Sequence, residues 1–558
     1  MILPDQPAKL AVWAKARIDD CRVSAATRAQ NARNLKTWRY TGSPDGNTAI
    51  VNRLDFHIDR MADMIFSPID LRFHIDFTHI YPKTILDQAE TASRALTREI
   101  ERRDIDMQIQ QGVNVALEQG ACILKVMHEH GGISGNLVMP WQFGVYQENI
   151  ADLGKQEAVC ETSFITTSDL WRRISHRADR VDIMRRAMAY AKKQAGSDES
   201  QSYFHQVLLS GTSPLVQTDQ PFTSQPGGLV QVQSDPTGAE LSPDVMAEML
   251  MFHELWVRDD DTEDYTTIQI VEPDILIAPR FLKKNLFVPE VLPYTLLQCN
   301  RLPNYVWGRS EIVDLQKLQL LLRDRMEDIK KLMSLQYDRF LAITGTSTMT
   351  DELYDTAREA GFMNLEPGSG VEDLTPPMPA EAFADIKQIT EFMDEISGFN
   401  NVLSGQGEPG VRAGNHAQML MKTASPSMRN KALIIERQVA DIGDKVFKAK
   451  AAKEAEAYWT GDVMKEGNEF LLAQLPDDYR VTVDSHSSSP IYEDDYLQMA
   501  ALAAKLQVVG GEDIIDLLPL PRRDLLKAHL AEKKRAEAAL IQQHPELLTK
   551  GHGGSHHK

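Results

Sequence analysis

The sequence predicts an α+β protein. Three observations carry this. Apolar residues recur at steps of three and four over long stretches of the last third, and at steps of two in short stretches of the first half. The two patterns never alternate regularly, as a doubly wound sheet would require. No stretch repeats elsewhere in the chain.

In chain order, residues 6–40 are rich in Ala, Arg and Lys and predict helix. The turn Thr41-Gly42-Ser43-Pro44-Asp45-Gly46-Asn47 separates them from a second helix ending near Phe66, which Ser67-Pro68 stops. Leu71, Phe73, Ile75 and Phe77 alternate with polar neighbours, the period of a half-buried strand. Helices fill 82–119, and β pattern runs from 121 to about 166 through Ile123, Leu124, Val126, Val138, Trp141, Phe143 and Val145. Residues 167–195 predict helix, 211–243 a Ser/Thr/Gln/Gly/Pro-rich flexible insertion, and 248–258, 266–272 and 291–299 strands. A helix then opens at Gly308-Arg309-Ser310-Glu311 and runs to about 339. Ile312, Leu315, Leu318, Leu322, Met326, Ile329 and Met333 form its stripe, and charges of both signs its other face. A Gly/Pro-rich segment ends at Thr375-Pro376-Pro377-Met378-Pro379, and a further helix from Ala380 aligns Phe383, Ile386, Ile389, Met393 and Ile396.

Composition narrows the function. The 558 residues suit three to four domains, and 42% hydrophobic with 25% charged residues allows a large core. No apolar run reaches the roughly 18 residues a membrane span needs. Met1-Ile2-Leu3-Pro4-Asp5 lacks a basic n-region and an apolar h-region, so secretion is not expected. Cys21, Cys122, Cys160 and Cys299 form no CxxC pair and predict free, buried thiols. A net charge of −20 argues against gripping nucleic acid, which needs cations on phosphates, but does not exclude DNA as a partner that must slide. Residues 1–40 run against the trend, with eight basic residues and three acids, and predict a solvated helix face.

Catalytic motifs are not evident. Gly405-Gln406-Gly407-Glu408-Pro409-Gly410 matches GxGxxG, yet a helix pattern precedes it where a dinucleotide site needs a strand. Glu408 would also oppose a pyrophosphate, so a glycine loop between helices is the better reading. Neither GxxxxGK[ST] nor HExxH occurs. His128 and His130 beside Glu129, the Glu493-Asp494-Asp495 run and the His-containing tail read as solvated surface, and Gly368-Ser369-Gly370 lacks the setting of a nucleophile elbow. No catalytic, cofactor or metal site is expected.

Tyr305-Val306-Trp307-Gly308-Arg309-Ser310 opening a long helix resembles the entry to the long helix of phage portal proteins, the head-to-tail connectors of double-stranded-DNA phages. The order that follows is similar too: helix, short Pro/Gly-rich module, helix, Gly-rich loop, long helix kinked at Ser425-Pro426. The segment 398–414 looks like the family's tunnel loop. Gly120-Ala121-Cys122-Ile123-Leu124-Lys125-Val126 and 139–148 resemble wing strands of the connectors of short-tailed phages. The resemblance covers 45–170 and 295–460, and the ordered set is more specific than any one motif.

The resemblance implies a portal-type ring subunit. Its parts would be a mixed α/β wing (1–300), a stem helix (308–340), a clip (341–379) and a second stem helix (380–398). A tunnel loop (399–415), a kinked helix returning to the wing (416–490) and a helical crown with its tail (491–558) would follow. It further implies a homo-oligomeric ring, a dodecamer in this family, set in the virion at the capsid vertex and assembled in the host cytoplasm. Duplex DNA would pass through the ring during packaging and ejection. Partners would be a terminase packaging ATPase, a tail adaptor, and capsid and scaffolding proteins, with no membrane and no cofactor. Twelve copies would carry roughly −240 in formal charge, as suits a conduit.

The candidate DNA contacts are Gly405, Gly407, Glu408, Gly410, Arg412, Gly414 and Asn415. The glycines permit backbone conformations closed to other residues, Arg412 would touch phosphates briefly, and Glu408 would limit their dwell. Shortening 405–414 should leave rings intact and impair packaging. Two other classes remain open at this point: a capsid or scaffolding protein, and an enzyme with an unrecognised site.

Overall fold

The computed structural model describes residues 1–195, 249–277 and 285–337, apart from positions 5, 47–48, 69–70, 130–131 and 262. It also describes 341–345, 355, 367–368, 370–373, 381–398, 426–453, 458–460, 469–471, 475–476 and 478–483. The insertion at 211–243, the candidate loop and the proposed crown lie outside the described residues.

The class is α+β. Helices α1 (Pro7–Cys21), α2 (Ala25–Thr41) and α3 (Leu54–Ile65) lead to β1 (Phe73–Phe77), then α4 (Lys83–Arg102) and α5 (Ile105–Gln119). Strands β2 (Cys122–Glu129), β3 (Gly132–Val138), β4 (Phe143–Val145) and β5 (Ala158–Thr166) follow, then α6 (Thr167–Arg173) and α7 (Arg180–Ala195). Next come β6 (Met249–Arg258), β7 (Tyr265–Val271), β8 (Ile275–Leu276) and β9 (Tyr294–Leu297). The last third holds α8 (Ile312–Tyr337), β10 (Leu341–Thr344), β11 (Gly370–Asp373), α9 (Glu381–Ser397), α10 (Pro426–Lys453), β12 (Tyr458–Thr460), β13 (Glu469–Leu471) and β14 (Tyr479–Val483).

Every described strand pair is antiparallel. One sheet has the order β4-β5-β6-β7-β8 and another β3-β2-β9; three two-stranded ribbons join β1 to β14, β10 to β11 and β12 to β13. Sequence-distant segments therefore close the body, since β1 pairs with a strand some 400 residues later.

The main core lies between α3, α4, α5, the β2 sheet and α10. Helix α10 explains its own position. Met428, Ala432, Ile435, Val439, Ile442 and Val446 fall at steps of four and three and are all fully buried. Each of the larger side chains contributes about 1.5–3 kcal/mol by leaving water. A second core seats Leu10, Ala14, Ile18 and Cys21 of α1 on Cys160, Leu255, Val257 and Ile270 of the large sheet.

The single helix expected over 6–40 is two helices. Helix α1 packs on the five-stranded sheet while α2 packs Ala29 and Ala32 on Trp141, so the chain must turn between them. It does so at Arg22-Val23-Ser24, where the Cys21 carbonyl crosses Gly144 so closely that a Cβ there would stand 2.4 Å from the oxygen. Neither Gly nor Pro marks the break in the sequence.

Candidate functional site: the root of the long helix and the helix pair

Three segments that drew attention in the sequence, at 120–126, 139–148 and 305–310, meet at the start of α8. Gly308 and Gly120 lie backbone to backbone: a Cβ on Gly308 would stand 2.2 Å from the Gly120 carbonyl oxygen, and one on Gly120 would stand 2.5 Å from that of Gly308. Gly120 also has φ +90°, a region that side chains rarely adopt. Neighbouring backbone groups continue the seam, with Glu311 N donating to the Leu117 carbonyl (3.0 Å) and Arg309 N to that of Asn300 (3.0 Å). The Ser310 hydroxyl donates to the Glu118 carbonyl and accepts from Ile312 N at 3.1 Å, which satisfies a free donor of the first helical turn.

Glu148 fastens the other side. Its carboxylate accepts from the Trp307 indole at 3.0 Å, from Arg28 at 2.7 Å and from the Ser24 hydroxyl, while its carbonyl accepts from Val306 N at 2.9 Å. The Arg28 guanidinium lies 4.2 Å from the centre of the Trp307 ring and donates to the carbonyls of Pro140 and Phe143, both at 2.8 Å. Burial lowers the Arg28 pKa to about 10, against the opposing pull of Glu148. Lys431 of α10 pairs with Glu311, so the long returning helix is fastened to the same root. Sequence reasoning found the Trp-Gly-Arg-Ser signature but missed Arg28, Glu148 and Lys431.

From this root, α8 runs 26 residues, about 39 Å, and packs on the 17-residue α9. The two helices run in opposite senses: Arg325 pairs with Asp385 at 2.8 Å, while Gln319 and Asp394 both meet Arg53, near the start of α3. Ile312, Leu315, Leu322 and Ile329 of α8 are buried, as are Ile389 and Met393 of α9, with Ile386 partly so. Between the helices in sequence sits the β10–β11 ribbon. The expected α9 face divides: Phe383 and Ile396 stand outward with Phe392, each close to half exposed. On α8, Val313, Leu321 and Met333 are likewise exposed.

The candidate contacts Gly405, Gly407, Glu408, Gly410, Arg412, Gly414 and Asn415 lie outside the described residues, as does the Ser425 half of the expected kink. Their flanks are described. Ser397, at the end of α9, donates to the Met393 carbonyl (2.7 Å) and lies 3.4 Å from His57 Nδ1. Helix α10 starts at Pro426, where the missing N–H costs nothing.

Sequence reasoning also missed a buried charge cluster. Lys125 of β2 lies 2.6 Å from Glu161 of β5 and 2.8 Å from Glu254 of β6, bridging the two larger sheets. The Tyr294 hydroxyl donates to Glu161 at 2.7 Å and approaches Glu254 at 3.2 Å; Trp256 and Gln269 complete the shell of Glu254. Burial raises the pKa of Tyr294, and the two carboxylates add to the rise. These are catalytic residue types, but each group has its partners within the cluster, which makes it a structural bridge.

A cleft of about 420 Å³ between α2, α3 and α5 contains Arg39, which Asp55, Asp59 and Glu118 hold at 2.8, 2.5 and 2.8 Å. All four cysteines are free and buried, and burial pushes the thiols of Cys122, Cys160 and Cys299 up to about 12, so they are unreactive near neutral pH. Among the described residues no three His, Cys, Asp or Glu side chains gather as a metal site, and no helix is long and apolar enough to cross a membrane. No protein-family model and no curated protein matches the chain.

Proposed function

We propose that this chain is the subunit of a portal-type ring that conducts double-stranded DNA at a phage capsid vertex, docking a packaging ATPase and later a tail. The observation that carries the reading is the opposed α8–α9 pair, which brackets a small β-ribbon in sequence and is rooted in an α/β body by the Gly120–Gly308 seam. Phe383, Phe392 and Ile396 of α9 and Val313 and Leu321 of α8 stand exposed on the packed helices. Neighbouring copies in a ring would cover them. The sequence between α9 and α10, with its glycines and single Arg412, is then the part that faces DNA.

Images of the purified protein test this directly. A ring with a bore as wide as duplex DNA is the expected result; monomers alone, or a closed shell without a bore, would overturn it.

A further inference from the structure

We propose that the two ends of the five-stranded sheet are complementary docking faces, the basic α6–α7 hairpin of one copy receiving the acidic end of the sheet of the next. This rests on the ring reading and extends it. A closed ring needs a heterologous contact made by two different patches on each subunit.

The basic face is built by the fold. Leu170, Ile174, Ile183, Ala187 and Ala191 seat the hairpin on Leu250, Phe252, Val271 and Ile275, the end of the sheet where β5 stops and β6 starts. What remains outward is cationic: residues 167–195 hold eight Arg and Lys against three acids, a net of +5 in a chain of −20, so the rest carries −25. Asp182, Asp179 and Asp274 pair with Arg185, Arg177 and Arg186. Arg180 stacks over the exposed Trp171 at 4.9 Å, and Lys192 stands on the outward side of α7 with no ion pair among the described residues.

At the other end of β6, about 30 Å away at the rise of an extended strand, the sign reverses. The β6–β7 turn exposes Asp260, Asp261 and Glu263, and the adjoining loops expose Asp152, Glu157 and Glu290. The loops hold each other, since Tyr265 donates to the Gly154 and Gln156 carbonyls and Asp264 accepts from Asn285 and from Glu290 N. Among the described residues, Lys155, Arg258 and the Met1 ammonium, which pairs with Asp260 at 2.6 Å, stand against these six exposed carboxylates. One rigid sheet thus presents opposite charge at its two ends. Duplex DNA could also sit on the cations, but it would leave the acidic end without a counterpart and would meet repulsion from the remaining −25.

The test is a charge swap read by native mass measurement at low salt. Arg172→Glu, Arg185→Glu and Lys192→Glu together take the hairpin from +5 to −1, so both ends are acidic; Asp261→Lys with Glu263→Lys makes both basic. Each variant alone should self-associate at least about tenfold more weakly than wild type, because like charges now face each other. A one-to-one mixture should regain rings in which the two variants alternate, which also shows that both are folded. Wild-type rings from either variant alone, or a mixture that does not recover, would overturn the inference while leaving the ring reading intact. Unchanged rings with lost duplex binding would assign the hairpin to DNA instead. A wild-type protein without rings would remove both readings.

Discussion

Replacing Lys125 by Met should cost about 3–5 kcal/mol of stability at neutral pH, the usual penalty for breaking a buried ion pair and leaving its partner unpaired. The structure explains the size. The Lys125 side chain is 12% exposed, and it faces Glu161 and Glu254, at 15% and 6%, within 2.8 Å. Met has nearly the same volume, so little of the loss comes from packing. What remains in the variant is two desolvated carboxylates beside one tyrosine hydroxyl, with Trp256 and Gln269 still donating to Glu254. Adding Glu254→Gln removes one of those charges and should recover about 1–2 kcal/mol, because neighbouring sites couple on that scale. Denaturant unfolding followed by circular dichroism measures both. A loss under about 1 kcal/mol for Lys125→Met would refute the argument that this cation holds the two sheets together.

The pH dependence fixes the sign independently. Burial alone would raise the Glu254 pKa, but the charge and hydrogen bond of Lys125 outweigh it and hold it below the ordinary carboxylate range. Lys125 goes the other way: burial lowers it, and the two glutamates more than reverse that. The glutamate's contribution is therefore present above the unfolded value of about 4.3 and lost as pH falls through the lower folded value. The lysine's contribution is present below about 10.4 and lost as pH rises through its higher folded value. Between those limits the bridge is at full strength. In the Met variant only the hydrogen bonds from Trp256 and Gln269 still favour the Glu254 carboxylate against its burial, so it takes up a proton more readily on mild acidification, and the gap to wild type should narrow as pH approaches 4. A gap that stays constant over that range would count against the assignment.

Gly308→Ala should destabilise the protein by about 1–3 kcal/mol and lower the yield of assembled rings, since its methyl would strike backbone that cannot rotate away; thermal unfolding beside particle imaging reads both. His57, fully buried, has its pKa lowered to about 4, first by burial and then by Arg53 and Arg60. Its folded value lies below the unfolded one of about 6.5, so stability should fall by about 3 kcal/mol as pH drops from 6.5 to 4. Asp394, 3.4 Å away, is itself pushed up by burial and is a weak counter-charge; His57→Gln should flatten the slope measured by unfolding across that range.

The sequence was most legible where one short-range period decided the outcome. The stripe on α8 has a mean step of 3.5 residues, close to the 3.6 of the helix, so it drifts only about 10° per step and stays on one face until Met333 at its far end. The stripe on α9 has a mean step of 3.25 and drifts about 35° per step. Phe383 and Ile396 are therefore far apart around the axis, and only Ile386, Ile389 and Met393 between them turn toward α8. A drift of that size is enough to divide the face.

What was illegible depended on long-range register. Lys125, Glu161 and Glu254 meet only because β2, β5 and β6 lie in particular registers in two sheets, and nothing within ten residues of any of them encodes that. A faint signal existed, since Lys125 and Glu254 each interrupt an otherwise apolar run, and an isolated charge in such a run must find a partner or stay unburied. Glu148 gave no such signal, because it lies beside a loop where acids are ordinary. Yet Glu148 and the Gly120–Gly308 seam do the most to direct α8. A glycine pair sets how near the helix may come to the body, a shared carboxylate sets its bearing through Trp307 and Arg28, and Lys431 locks the returning helix to the same point. Three short-range contacts thereby aim a helix about 39 Å long. Because a small angular error at its root grows into several ångströms at its tip, the residues that secure the root are under tighter geometric constraint than those along the shaft.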